Sequence, residues 1–179
     1  MTNAAAWQGL NQPLRRFHRQ TSVVRAHLQQ TPDCIMNSYV PVVMADDDAD
    51  DFFLMQSTLE EERVTNPLHH VANARQLFEF LVHRNDTTLE RPHLPGLIFL
   101  DINMPGMNGL EVLEKLKSDS TFRAIPVVVF STVSNPETVR RAYQLGANSF
   151  ITKPNSIKGM TEVVRSVQKC FLELPAVAA

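Results

Sequence analysis

The chain has 179 residues, 44% hydrophobic and 20% charged, with a formal net charge of −2, so it has room for one ordinary domain with a sizeable core and a short appendage. No apolar run approaches the length of a bilayer span, and the start lacks the basic-then-apolar pattern of a secretory signal. Cys34 and Cys170 stand alone and offer neither a disulfide framework nor zinc-ligand spacing, which makes a reducing cytoplasm the expected setting.

Residues 1–38 mix Ala, Gln, Arg and Thr around Pro13 and Pro32. Within them Arg15, Arg16, Arg19 and Arg25 face only Asp33, a basic excess without a periodic apolar face, which reads as a solvated, disordered tail or a non-native extension. Met36 directly precedes the first strand candidate, so translation from there yields a complete domain. The expected organisation is a tail over 1–38, one domain over 39–174 and a short tail over 175–179.

From Val40 onward short apolar runs alternate with longer amphipathic stretches, the pattern of βα units and a parallel sheet. Strands are predicted at Val40–Ala45, His69–Ala72, Leu97–Leu100, Val127–Phe130 and Ser149–Ile151. The third and fourth are continuously apolar, as in central strands covered on both faces. Apolar residues three and four apart predict the intervening helices: Phe52, Met55 and Leu59; Leu77, Phe78 and Leu81; Leu110, Leu113 and Leu116; Val139, Ala142 and Tyr143; Met160, Val163, Val164, Val167 and Phe171. These stripes read as core. Asn135 and Pro136 supply a cap and a first-turn proline for the fourth helix, and Gly146 is placed to stop it. The stretch from Arg84 to Pro95 reads as a long polar surface loop.

In a doubly wound α/β sheet, ligands bind beyond the carboxyl ends of the strands. There the sequence places Asp46, Asp47 and Asp48 after the first strand, Asp101 after the third, Ser131 and Thr132 after the fourth, and Lys153 and Pro154 after the fifth. Crowded carboxylates repel one another and welcome a divalent cation, for which magnesium suits a small oxygen-lined site. Asp101 is then a carboxylate nucleophile toward phosphorus, with Lys153 and a Ser131 or Thr132 hydroxyl neutralising the equatorial oxygens.

Each residue alone has an ordinary structural explanation. An acidic run caps a helix, Asp101 forms a turn, Ser131 or Thr132 caps, and Lys153 is a surface lysine. Their joint placement on successive strand ends favours phosphoryl chemistry. Asp46, Asp48 and Asp50 imitate the start of an EF-hand loop, but Asp51 stands where glycine is needed and Ser57 where the bidentate glutamate belongs. No glycine-rich phosphate loop or dinucleotide fingerprint is present. His69 and His70 lack a third ligand and read as structural or exposed.

Four motifs in order carry a family resemblance: Val42-Val43-Met44-Ala45-Asp46-Asp47-Asp48, Phe99-Leu100-Asp101-Ile102-Asn103-Met104-Pro105-Gly106-Met107-Asn108-Gly109, Phe130-Ser131-Thr132, and Leu145-Gly146-Ala147-Asn148-Ser149-Phe150-Ile151-Thr152-Lys153-Pro154. Over roughly Val40 to Leu172 the chain resembles a response-regulator receiver domain of bacterial two-component signalling, of the chemotaxis-regulator type. The long loop before the third strand and the segment Glu162–Val167 are similar to stand-alone regulators that partner bacterial phytochromes.

The resemblance implies a flavodoxin-like fold, a doubly wound five-stranded parallel sheet of order 2-1-3-4-5 with five helices. It implies a phosphoacceptor at Asp101, fed by a sensor histidine kinase, phytochrome-like among the candidates, or a phosphotransfer protein. Mg2+ would be held by Asp47, Asp101 and the backbone carbonyl of Asn103, with Asp46 acting through a metal-bound water. It also implies a phosphoryl-following hydroxyl at Ser131, with Thr132 after it, a phosphate-binding Lys153, a switch residue at Phe150 and a cis Lys153–Pro154 bond. Such a protein is a signalling phosphoacceptor that catalyses only its own phosphorylation and dephosphorylation. Its output is contact with a downstream protein, or pairing of two copies, through the face made by the fourth helix, fifth strand and fifth helix, with no direct nucleic-acid or membrane contact. Two rivals stay open: a haloacid-dehalogenase-type phosphatase built on Asp46-x-Asp48, and a phosphate-independent pseudo-receiver that only binds.

Overall fold

A computed structural model describes residues 40–85 and 94–172. The expected tails at 1–38 and 175–179, and most of the loop between Arg84 and Pro95, lie outside the described residues. The elements alternate as expected: β1 (Val42–Ala45), α1 (Ala49–Glu61), β2 (Leu68–Val71), α2 (Ala74–Arg84), β3 (Leu97–Leu100), α3 (Gly109–Ser118), β4 (Val127–Ser131), α4 (Pro136–Gln144), β5 (Ser149–Thr152) and α5 (Ile157–Val167). All strand pairs are parallel and the order is β2-β1-β3-β4-β5. No described helix is long and apolar enough to cross a membrane.

Strand alternation divides the core. Val43, Ala45, Ile98, Leu100, Val127 and Val129 meet Leu77 and Leu81 of α2, Val112, Leu113 and Leu116 of α3, and Ala142 of α4. Val42, Met44, Leu97, Phe99, Val128 and Phe130 turn the other way, onto Met55 and Leu59 of α1 and Met160, Val164 and Val167 of α5. The sheet is thus covered by three helices on one face and two on the other, which is why its central strands are apolar throughout except for Ser131 at the carboxyl end of β4. Each of the five described α-helices begins on a side-chain cap, supplied by Asp48, Asn73, Asn108, Asn135 and Ser156 in turn, and Gly146 follows α4 with φ +96°, the left-handed stop expected of it.

Two stripes depart from expectation. In α4 only Ala142 is buried, because that helix lies against the edge strand and half of its stripe has no further strand beneath it. Tyr143 is instead a surface residue whose hydroxyl accepts the outward N–H of Phe150 at 3.2 Å, satisfying a donor that an edge strand would leave to solvent. Phe171 falls not in α5 but in a π-helical turn, Gln168–Leu172, that continues it and buries Leu172. His69 and His70 pack on aromatic rings: His69 lies against Phe80, and His70 stacks on Phe52 with ring centroids 4.7 Å apart.

The end of the sheet remote from the strand-end carboxylates is clamped by Lys117. Its Nζ donates to the carbonyls of Ile125 (2.7 Å) and Arg123 (3.3 Å) and to Asn148 Oδ1 (3.3 Å), while Asn148 Oδ1 also accepts the Val127 N–H. Burial lowers this lysine from the ordinary 10.5 to about 8. Between those values the unfolded chain holds the proton that the folded chain has released, so stability rises with pH through that window and the gain is lost as pH falls through 8. Urea midpoints measured across the window are expected to climb more steeply in the wild type than in Lys117→Met; equal slopes would refute the assignment.

Candidate functional site

The register of the central strands builds the site. Ala45 of β1 is paired with Leu100 of β3, so Asp46 and Asp101, the next residue on each strand, emerge side by side. Their backbones continue the ladder, with the Asp46 N–H donating to Val71 O at 3.0 Å and the Asp101 N–H to Ala45 O at 2.9 Å. Both side chains are buried, although each strand ends there. Asp47 follows into solvent. Carboxylate oxygens of Asp46, Asp47 and Asp101 lie within 4.8 Å of one another.

The fifth strand brings the cation. Ser131 ends β4 opposite Thr152, and the Lys153 N–H donates to Ser131 O at 3.0 Å. That step carries the Lys153 side chain over the carboxylates, with Nζ 2.7 Å from Asp46 Oδ2, 2.7 Å from Asp51 Oδ2 and 3.6 Å from Asp101 Oδ2. The Lys153 side chain is only 8% exposed. Burial by itself would lower its pKa, but the bonds to Asp46 and Asp51, with the charge of Asp101 behind them, reverse the sign and hold it above the ordinary lysine range.

Asp46 moves the same way for a different reason. Burial pushes its carboxyl up, and the Asp101 charge adds to this, against the opposing pull of Lys153 and the Asp48 N–H. One ammonium shared among three carboxylates cannot compensate them all. Asp46 Oδ1 accepts the Asp48 N–H at 3.1 Å, whereas Oδ2 is buried against the Lys153 ammonium at 2.7 Å. The Asp46 carbonyl meets His70 Nε2 at 2.7 Å, which ties β2 to the same corner.

Around Asp101 the chain turns sharply. The Ile102 N–H donates to Asp101 Oδ1 at 2.7 Å, and the Gly109 N–H returns to Ile102 O at 2.9 Å. Asn103 is exposed on this loop, Gly106 takes φ +87°, and Gly109 packs directly on the Asp101–Ile102 backbone. Ser131 is fully buried, its Oγ 3.4 Å from the Val133 N–H, while Thr132 is exposed. Phe150 is half-buried against the α2–α4 side of the core. The described residues contain no cis peptide bond, so the Lys153–Pro154 bond is trans, contrary to expectation and in the form that X–Pro bonds favour by about 0.5–1 kcal/mol.

The sequence-predicted Asp46, Asp47, Asp101 and Lys153 therefore meet. Asp51 joins them without having been anticipated, since an aspartate in the first turn of a helix reads as a dipole partner. Nothing local marks it; only the β5 loop reaching across β4, β3 and β1 reveals its pairing. The all-oxygen set of Asp46, Asp47 and Asp101, three clustered carboxylates that a single lysine cannot neutralise, fits a hard divalent cation.

Comparisons with known proteins point the same way. The family model described as "Response regulator receiver domain" matches residues 42–165. Response regulator Rcp1 of Synechocystis sp. is 30% identical over 138 residues, covering 75% of this chain and 92% of that protein. Among solved structures, the phosphorylated cyanobacterial phytochrome response regulator RcpA is similar with a TM-score of 0.66 and 28% identity, over 79% of this chain and 97% of that one. The Mn(2+)-bound form of Rcp1 gives a TM-score of 0.65 and 28% identity, over 78% and 99%.

Proposed function

The chain belongs to the response regulator receiver domain family, and we propose that it accepts a phosphoryl group from a histidine kinase on Asp101, with magnesium bound, and passes the signal on by contact with another protein. The observation that carries this reading is the convergence of three carboxylates within 4.8 Å beside a buried, charged Lys153. The domain responsible is taken as 39–174, and the family match over 42–165 supports it. The likeness to phytochrome-associated regulators supports a phytochrome-type kinase as the donor.

Asp47 and Asp101, with the Asn103 carbonyl, would hold Mg2+, and Asp46 would act through a bound water. When bound, the metal supplies charge neutralisation to the phosphoryl oxygens. The protein's own part is positional. The Ile102 N–H engages Oδ1 of Asp101 and leaves Oδ2 toward the pocket, where it can attack phosphorus as a carboxylate while the bond from phosphorus to the donor's histidine nitrogen breaks and the imidazole leaves. Lys153 then takes one phosphoryl oxygen and the Ser131 hydroxyl another. Movement of Ser131 toward the phosphoryl group opens space for Phe150, shifting the population of two conformations and the surface of the α4–β5–α5 face.

Magnesium-dependent labelling by acetyl phosphate, located by mass spectrometry of peptides, tests the proposal: label on the peptide containing Asp101 is expected, and label elsewhere or none refutes it. The metal assignment has its own test. Asp47 is exposed, so Asp47→Asn is expected to weaken Mg2+ binding by at least about tenfold in calorimetric titration while leaving stability within about 0.5 kcal/mol. Unchanged affinity would remove Asp47 from the ligand set.

A further inference from the structure

The geometry points to Asp51 as a positioning residue that withholds Lys153 from Asp101 until a phosphoryl group arrives; this rests on the phosphoacceptor reading above and adds a residue to it. An ammonium has three N–H donors. In Lys153 two contacts of 2.7 Å go to Asp46 and Asp51, while Asp101 Oδ2 stands off at 3.6 Å, beyond the length of a charge-assisted hydrogen bond. Phe130 lies under Nζ at 5.9 Å from the ring centroid, so the ammonium sits above an aromatic floor between α1 and the strand ends.

The two short contacts are not equivalent. Asp46 is buried on β1 and accepts a backbone N–H beside it, so its place is set by the sheet. Asp51 reaches in from the first turn of α1 with 28% of its side chain exposed, and no other hydrogen bond holds that carboxylate among those of the described residues. It is the partner that can be given up. A phosphoryl group on Asp101 adds negative charge and oxygen atoms on the side of Lys153 now left short of contact. The lysine then exchanges Asp51, which solvent can accept, for the phosphoryl oxygen. Asp51 thereby lowers occupancy of the phosphorylated state by competing for the group that stabilises it.

Removing the competitor should favour the acyl phosphate and its mimic. In titrations of the full chain with beryllofluoride and Mg2+, Asp51→Asn and Asp51→Ala are expected to reach half-saturation at about three- to tenfold lower beryllofluoride than wild type, the range for loss of a partly exposed ion pair. Mg2+ affinity measured alone should not rise in these variants, because a negative charge has left the neighbourhood. Asp51→Glu keeps the carboxylate on a longer, flexible arm and is expected to return the wild-type response. Unchanged or weaker beryllofluoride binding in both neutral variants, with melting temperatures at the wild-type value, overturns the role of Asp51. So does a Glu variant that behaves like the neutral ones. A wild type that takes up no beryllofluoride overturns instead the phosphoacceptor reading on which this one stands.

Discussion

Asp101→Asn is expected to abolish acetyl phosphate labelling, with at least about a hundredfold loss, because an amide oxygen is not a competent nucleophile toward phosphorus. The substitution is nearly isosteric. The Asn carbonyl oxygen can still accept the Ile102 N–H, which lies 2.7 Å from Oδ1 in the wild type, and Lys153 retains Asp46 and Asp51 at 2.7 Å. The fold should therefore survive, and the melting temperature in the absence of metal should stay level or rise, since one of three mutually repelling carboxylates has lost its charge. Loss of label together with an intact melt ascribes the effect to chemistry. Label that persists unchanged would refute Asp101 as acceptor. Steady phosphomonoester turnover that survives this change and depends on Asp46 would favour the haloacid-dehalogenase-type alternative, and a wild type that binds a partner but never takes label would favour the pseudo-receiver.

The second large effect is structural. A methyl group at Gly109 would collide with the carbonyl of Asp101 and come within 2.7 Å of Ile102 Cα. Those are backbone atoms of the strand end, not flexible side-chain tips, so they can yield only by moving the loop that follows β3. Gly109→Ala is expected to cost about 3 kcal/mol, read as a fall of roughly 10 °C in melting temperature, and to depress any labelling at Asp101 because the peptide of Asp101 itself is displaced. Gly106 provides the contrast: its φ of +87° disfavours a side chain, but no atom lies within 4 Å of the added position, so Gly106→Ala should cost only about 1 kcal/mol. Equal melting temperatures for the two variants would show that the contact at Gly109 relaxes without strain.

The two glycines show where sequence reading reaches its limit. Gly106, in a Pro-Gly pair, announces a turn by residue type alone. Gly109 opens a helix, where local propensity would prefer almost any other residue; its need becomes visible only when α3 is laid on the end of β3. Lys117 is similar. On a helix with polar neighbours it reads as solvated, yet it is folded over a turn and the loop before β5, where carbonyl oxygens surround its ammonium.

By contrast, the alternating strands and helices were legible because burial on both faces of a parallel sheet imposes continuous apolar runs, and burial of one helix face imposes spacings of three and four. Strand boundaries came within two residues for the same reason. The boundary of the fifth helix and the apparent core stripe of α4 did not, since both depend on what lies beside the segment rather than on its own period.

The sequence by itself determined the βα repeat and the placement of Asp46, Asp47, Asp101, Ser131 and Lys153 at strand ends, because period and turn chemistry are local properties of the chain. The tertiary structure alone decided how Lys153 divides its bonds. It sits at 2.7 Å from Asp46 and Asp51 and 3.6 Å from Asp101. Differences of that size arise from strand register, the reach of one side chain and competition between carboxylates for a single charge, and they are settled only when segments more than fifty residues apart are packed together.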